Sequence, residues 1–453
     1  MNEHSISGRK VTIVGAARSG VAAAELLHAR GASVFVTDSG PADRLAPAVE
    51  KLRAAGIQAE TGGHSGRALD ADFIVVSPGV PATAQILHTA ADRRIPVYSE
   101  LEAASWFCPA PVVAVTGTNG KTTTTSLIGR MIGDMHRPHV VAGNIGTAFS
   151  AVVRDIQPSA TVVLEVSSFQ LERIESFHPA IAILLNITPD HLDRYDGVME
   201  KYIDAKCRIF ERQGKGDTFI YNFDDPLARS VVSRVPAGVT TLAYGIEKRF
   251  DEGAYVDNGS LVTSVAGGRT EIIQTSAISI PGIHNLGNAM AATLAAMSAG
   301  IMPASIRATL RNFKGVEHRL EFVRTLGGVS YVNDSKATNV DSVWYALQSF
   351  QAPIVLFLGG RDKGNDYSRL NELVRRHVKH IVAIGESAPK VVAAFSGIVP
   401  VTTGDSMEKA VAIAKSTAVS GDIVLLSPAC ASFDWYDNYE HRGRVFKSIV
   451  NAL

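Results

Sequence analysis

Residues 114–123 constrain this chain more than any other stretch. The apolar run 112–115 feeds a small glycine-bearing turn, Thr116-Gly117-Thr118-Asn119-Gly120, which ends in Lys121-Thr122-Thr123 and opens a predicted helix. Strand, tight turn and helix in that order place the turn at the carboxyl edge of a sheet. There Gly117 and Gly120 let backbone N–H groups close on phosphate oxygens, Lys121 reaches the outer phosphates, and Thr122 offers a hydroxyl to magnesium. Val115 stands where the general phosphate-loop pattern has its first glycine. A plain strand–helix turn would account for Gly-Lys-Thr alone; the strand in front of it favours ATP.

At 453 residues the chain has room for about three domains of ~150 residues. Lysine plus arginine (44) equal aspartate plus glutamate (44), so no global field recruits nucleic acid or an anionic membrane. The start lacks a basic stretch followed by an apolar core, and no apolar run approaches the ~20 residues that span a bilayer. Cys108, Cys207 and Cys430 are far apart and form no C-x-x-C pair, which argues against a disulfide framework or a thiolate zinc site. The expectation is a cytoplasmic globular protein.

The first hundred residues alternate strand and helix signals (10–15, 21–29, 33–38, 72–76), a doubly wound pattern whose ligands sit at the carboxyl ends of strands. The turn Gly15-Ala16-Ala17-Arg18-Ser19-Gly20 has Ala17 where a dinucleotide fingerprint has its second glycine. That points away from NAD or FAD and towards another nucleotide or nucleotide-sugar diphosphate, with a plain turn as the alternative. Prolines at 109 and 111 mark a seam. Runs 161–166 and 180–186 read as buried parallel strands, and a third alternating region starts near Gly315. Residues 251–268 read as a surface hairpin.

Several residues carry possible chemistry. Glu165 ends an apolar strand about one βαβ unit after the phosphate loop, where an acid can hold the magnesium that bridges ATP phosphates. His191 follows the next strand, at the same edge, as a ligand or substrate contact. Lys206 lies in the helical segment 202–210 and, read by itself, is a solvated helix lysine. Asn285 and Asn288 precede a small-residue helix, as caps or as amides reading a nucleobase. For Glu317-His318-Arg319 and the segment 333–339, a polar loop is the simple reading.

Together these motifs resemble the Mur ligases, the ATP-dependent amide-bond formers of peptidoglycan precursor synthesis. The resemblance rests on 116–123, the Glu165 strand, 190–193, 284–288 and His318-Arg319, in one order along nearly the whole chain. Residues 333–339, 359–363 and 426–432 are most similar to the D-glutamate-adding branch. The resemblance implies three α/β domains. These are a Rossmann-like domain for the UDP substrate (1–108), a central P-loop ATPase-type domain with a parallel or mixed sheet (109–314), and a C-terminal Rossmann-like domain for the amino acid (315–453).

It also implies roles. Gly117, Thr118, Asn119, Gly120, Lys121, Thr122 and Thr123 would hold the ATP phosphates. Asn288, Arg319 and Asp334 would contact adenine, phosphate and ribose. Thr122, Glu165, His191 and Lys206 would form the site of two Mg²⁺ ions, with Lys206 converted by CO₂ to a carbamate; Lys121, Glu165, His191 and Lys206 are the catalytic set. Ser19, Asp38, Ser77, Gly79, Asn144 and His191 would bind UDP-N-acetylmuramoyl-L-alanine, and Thr338, Lys363, Ser432 and Phe433 D-glutamate. Small molecules are the only partners implied, for a monomer that neither binds nucleic acid nor enters a membrane. Two positions depart from the family pattern: Ser39-Gly40 replaces the arginine that often follows the acid at Asp38, and Tyr439 carries a hydroxyl where some members have none. The rivals are a sister ligase adding another amino acid, and a non-catalytic nucleotide switch on the same loop.

Overall fold

The computed structural model describes residues 6–144, 146–362 and 364–453. Three sheets follow one another along the chain. The first comprises β1 (Lys10–Val14), β2 (Ser33–Asp38), β3 (Gln58–Thr61), β4 (Phe73–Val76) and β5 (Val97–Ser99) in the order β3-β2-β1-β4-β5, all parallel. The order reverses between β1 and β4, the switch point at which a doubly wound sheet opens a crevice.

The central sheet has β6 (Val112–Thr116), β7 (His139–Gly143), β8 (Thr161–Glu165), β9 (Ile181–Leu184), β10 (Thr218–Asn222), β11 (Thr240–Tyr244), β12 (Gly253–Asp257), β13 (Ser260–Val265) and β14 (Gly268–Gln274), ordered β14-β13-β12-β11-β10-β9-β6-β8-β7. Strands β9, β6 and β8 run parallel at the centre with apolar middles: Val112 to Val115, Val162 to Leu164 and Ile181 to Leu184 are all buried, and β7 closes the edge parallel to β8. The hairpin expected at 251–268 is present as β12 and β13. Its β12 joins β11 in parallel, β13 returns antiparallel to β12, and Ala254, Tyr255, Leu261 and Val262 are buried, so its inner half is core.

The third sheet holds β15 (Glu321–Leu326), β16 (Val329–Asn333), β17 (Ile354–Gly359), β18 (Val378–Ile384), β19 (Val401–Gly404) and β20 (Ile423–Leu426), ordered β15-β16-β20-β17-β18-β19, with only β15 antiparallel to its neighbour. The mixed and parallel α/β sheets agree with the fold class expected from sequence. By contact the chain divides into two compact units, 1–277 with 287–311, and 278–286 with 312–453. The first two sheets share one unit, and the division falls within the Ile283–Ser298 helix.

Inside the first unit, a buried carboxylate joins the first two sheets. Glu102, on the Glu100–Ser105 helix that follows β5, accepts hydrogen bonds from Trp106 Nε1 (2.8 Å), the backbone N–H groups of Glu175 (3.0 Å), Ser176 (2.9 Å) and Phe177 (2.9 Å), and the Ser176 hydroxyl. Burial alone would raise its pKa, but the Ser176 hydroxyl and these N–H donors outweigh burial and hold it below the usual carboxylate range. Glu102→Ala leaves those donors buried and unpaired. We expect a loss of roughly 3–5 kcal/mol in chemical denaturation, with Glu102→Gln losing less. Because the folded pKa is depressed, the ionised carboxylate contributes its full stabilisation above the unfolded value near 4.5 and loses it as the pH falls. The stability difference between wild type and Glu102→Ala should therefore shrink in acid.

Candidate active site

Strands β9, β6 and β8 lie side by side and parallel, so the segments leaving their carboxyl ends converge. The turn after β6 needs glycine twice. Gly117 and Gly120 have φ of +147° and +87°, and a Cβ on Gly120 would lie 2.3 Å from Asn288 Oδ1. Asn186, after β9, laces the turn. Its carbonyl oxygen accepts from Thr118 N–H (3.0 Å), Oδ1 from Asn119 N–H (2.8 Å), and Nδ2 donates to the Asn119 carbonyl (3.0 Å). Thr118 Oγ1 bridges Thr188 and the Tyr202 hydroxyl (3.2 Å). Lys121 opens the Lys121–Gly133 helix, and its ammonium donates to the Gly117 (2.9 Å) and Thr118 (2.8 Å) carbonyls. The amine thus rests over the turn at a helix N-terminus, where an anion is favoured.

Thr122 and Glu165 meet directly. Thr122 Oγ1 donates to Glu165 Oε2 at 2.8 Å, and Asn144 Nδ2 donates to Glu165 Oε1 at 3.0 Å. Both Thr122 and Glu165 are buried, so Glu165 is no first residue of a solvated loop. Adjacent hydroxyl and carboxylate oxygens beside a phosphate turn are a hard donor set that fits Mg²⁺. Thr123 is buried on the same helix, and Thr124 Oγ1 donates to Asn288 Oδ1 (3.3 Å), which brings Asn288 against the turn.

Lys206 overturns the reading made from its own segment. It sits on the Met199–Cys207 helix but is 1% exposed, with Nζ 4.5 Å from the centroid of the Tyr202 ring. Burial, and then the positive charge of Lys121, push its amine well below the usual lysine range, against the opposing pull of Asp190. A surface lysine would need none of this. Periodicity could not reveal it, because the helix turns a face towards the site rather than towards solvent. Tyr202, one helical turn before Lys206, and Asp190 are functional candidates that sequence reasoning quoted without assigning a role. The i, i+4 spacing of Tyr202 and Lys206 was the available signal. His191 is half-exposed, has φ +51°, and lies edge-on to Phe169 at 5.0 Å.

In the first sheet, Asp38 ends β2 and both its oxygens accept backbone N–H groups, from Ala16 and Gly40 (2.7 Å each). Ser77 is buried and donates to the Gly15 carbonyl (3.0 Å), while Gly79 is exposed and Ser19 lies in the first turn of the Arg18–Ala29 helix. These residues shape the turn after β1 at the switch point.

The second unit gathers the remaining predicted residues except Lys363, which lies outside the described residues. Asp334 ends β16's loop fully buried, accepting from Ser427 Oγ (2.8 Å) and Leu320 N–H (3.1 Å). Burial pushes its pKa up to about 6 despite Arg319, Ser427 and Leu320. Arg442 is buried and clamps the same region, donating to Ser335 and to the Cys430 and Ala431 carbonyls. Glu317, His318 and Glu321 have ligand atoms within 4.8 Å of one another, but Lys447 Nζ bonds Glu317 (3.0 Å) and Glu321 (2.5 Å), so an internal cation already neutralises them. The Ser432 hydroxyl and Arg319 Nε are buried without a hydrogen-bond partner among the described residues. Unpaired buried donors are costly, and a ligand would satisfy them. Thr338 is half-buried and Phe433 exposed.

Residues 9–99 match the description "Mur ligase MurD-like, N-terminal domain", 115–296 "Mur ligase middle domain" and 318–430 "Mur ligase, glutamate ligase domain". The chain belongs to the Mur ligase family. This Mur ligase is 47% identical to the UDP-N-acetylmuramoylalanine--D-glutamate ligase of Salinibacter ruber over 462 aligned residues, covering 100% of both chains. It is 45% identical to the ligase of the same name from Pelotomaculum thermopropionicum, covering 98% of both. Among solved structures, it is similar in fold to the UDP-N-acetylmuramate-alanine ligase MurC of Thermotoga maritima (18% identity, TM-score 0.62, 98% and 99% covered). It is also similar to the MurF ligase of T. maritima in complex with ADP (16% identity, TM-score 0.59, 100% and 97% covered).

Gly120→Ala tests the packing of the turn. The left-handed backbone costs an L-residue roughly 1–2 kcal/mol, and the new methyl must also displace Asn288. We expect a clear drop in melting temperature, whereas Gly79→Ala, with nothing within 4 Å of its Cβ, should melt like wild type.

Proposed function

We propose that this Mur ligase joins D-glutamate to UDP-N-acetylmuramoyl-L-alanine with ATP, through an acyl phosphate, in the cytoplasmic stage of peptidoglycan synthesis. The observation that carries the reading is the buried Lys206, its pKa depressed by burial and Lys121, beside a laced phosphate turn, in a chain aligned end to end with ligases of that name. The domain boundaries proposed remain 1–108, 109–314 and 315–453.

A carboxylate is a poor acyl donor at neutral pH because its leaving group would be oxide. Transfer of the γ-phosphoryl group to the terminal alanine carboxylate replaces that leaving group with phosphate. The D-glutamate amine then attacks the acyl carbon, phosphate departs, and the amide forms. The first step needs positioning and charge neutralisation more than covalent help. Backbone N–H groups at the start of the Lys121–Gly133 helix would hold the phosphates, and the Lys121 ammonium would exchange its carbonyl partners for phosphate oxygens. Thr122, Glu165 and His191 supply donors for Mg²⁺, which when bound shields the phosphate charge.

Lys206 completes this set only as an anion, because an ammonium would repel a cation. Its depressed pKa leaves a lone pair that attacks CO₂ and forms an N–C bond; the amine proton goes to solvent and an N-carboxylate remains. Asn288, Arg319 and Asp334 bind the nucleoside and phosphates. Ser19, Asp38, Ser77, Gly79, Asn144 and His191 bind the UDP-sugar peptide, while Thr338, Lys363, Ser432 and Phe433 take D-glutamate. The buried Ser432 hydroxyl, without a hydrogen-bond partner among the described residues, supports its reading as a ligand contact.

Phosphate release, measured with UDP-N-acetylmuramoyl-L-alanine, ATP and Mg²⁺, tests the reading when D-glutamate, L-glutamate, L-lysine and diaminopimelate are supplied in parallel. Turnover is expected with D-glutamate alone. Turnover with another amino acid moves the chain to a sister activity, and none at all with any of them contradicts ligase function.

A further inference from the structure

Two half-sites of the first unit stand on different sheets, and the Arg194 side chain spans them. The 77–80 turn leaves β4 at the switch point of the first sheet. Ser77 N–H donates to the Val14 carbonyl (3.0 Å), and Val80 N–H closes the turn on the Ser77 carbonyl (3.1 Å). A Cβ on Gly15 would lie 3.0 Å from Val80 Cγ2, so this turn packs against the one after β1. His191 belongs to the other half-site, in the segment that leaves β9 of the central sheet.

Arg194 holds both. Its backbone N–H donates to the His191 carbonyl (3.0 Å) within the Leu192–Tyr195 turn of 3-10 helix. Its Nε and Nη2 donate to the two carboxylate oxygens of Glu172 (2.8 Å each), and its Nη1 donates to the Val80 carbonyl (3.0 Å). The guanidinium carbon lies 4.4 Å from the centroid of the Phe169 ring, and that ring meets His191 edge-on at 5.0 Å. The Arg194 and Glu172 side chains are only 15% and 18% exposed, so water and salt weaken the fork little. Three donors in one plane thus satisfy a carboxylate on the central domain and a carbonyl on the first. A lysine ammonium has the charge without that planar fork.

We propose that Arg194 is a positioning residue that holds the 77–80 turn and His191 at a fixed separation, so that one extended substrate reaches both at once. The inference rests on the proposed UDP-substrate reading, in which the UDP end meets the first sheet and the acyl end the phosphate turn. A fragment that fills one half-site does not sense their separation. A ligand that fills both does, because its second contact is intramolecular and fails when the geometry fails. A misplaced carboxylate also slows phosphoryl transfer.

Arg194→Met and Arg194→Lys test it in the full chain, with Glu172→Gln as a second way to open the fork. Calorimetry with UDP and with Mg²⁺-ADP reads each half-site alone, and both should bind within about twofold of wild type. UDP-N-acetylmuramoyl-L-alanine should bind Arg194→Met roughly tenfold more weakly, and kcat/KM for it should fall about 10–100-fold. The KM for D-glutamate should stay unchanged. Arg194→Lys should regain melting temperature but not affinity for the whole substrate, since an ammonium cannot grip Glu172 and Val80 together. Full recovery of that affinity in Arg194→Lys would overturn the proposal. Equal losses towards UDP, Mg²⁺-ADP and the whole substrate would also overturn it, as would whole-substrate affinity unchanged in folded Arg194→Met and Glu172→Gln. These three outcomes leave the proposed function standing. Wild type that neither binds nor turns over the UDP substrate would overturn both readings.

Discussion

A lysine amine buried in the protein interior, where its ammonium form is disfavoured, is the constraint around which the central domain is organised. Lys206 is buried, packed over the Tyr202 ring and exposed to the field of Lys121. Two cations cannot share a dry region cheaply, so one of them must give up its proton or find an anion. Lys121 finds carbonyl oxygens on the phosphate turn; the Lys206 amine is pushed well below the usual lysine range. The same field that disfavours the Lys206 ammonium favours any anion that enters, whether a phosphate oxygen or a carboxylate formed on the amine itself.

The rest of the first unit supports that arrangement. Glu165 is fixed from two sides by Thr122 and Asn144, and Asn186 binds the phosphate turn to the segment after β9. Asn144 therefore links the β7 edge to Glu165, and the residue proposed to face the muramoyl substrate bonds the residue proposed to hold magnesium. The Glu102 cluster holds the first sheet to the second, so the crevice after β1 and the phosphate turn after β6 belong to one body.

Much of this was legible in the sequence, and the reason is physical. Buried parallel strands must be apolar throughout, so 112–115, 161–166 and 180–186 announced themselves. Gly117 and Gly120 were readable because only glycine tolerates their backbone and their neighbours. What was not readable depended on partners distant in sequence. Lys206 looked like a solvated helix lysine, since its burial and the charge of Lys121 act on it only in three dimensions. Asp38 looked like a ligand contact, but its oxygens first serve the turn's own amides. The hairpin at 251–268 was placed correctly in the chain but not in the sheet, since its polar turn masked an apolar inner face.

The central proposal is capture of CO₂ by the buried Lys206 amine, whose pKa is depressed. Incubation of the full chain with ¹³C-bicarbonate, trapping with an alkylating oxonium reagent and peptide mass spectrometry would read it directly. The account predicts a ¹³C-carboxyl adduct on Lys206, absent from the Lys206→Met chain and absent from solvated lysines such as Lys51. An unmodified Lys206 under conditions of full turnover would contradict it.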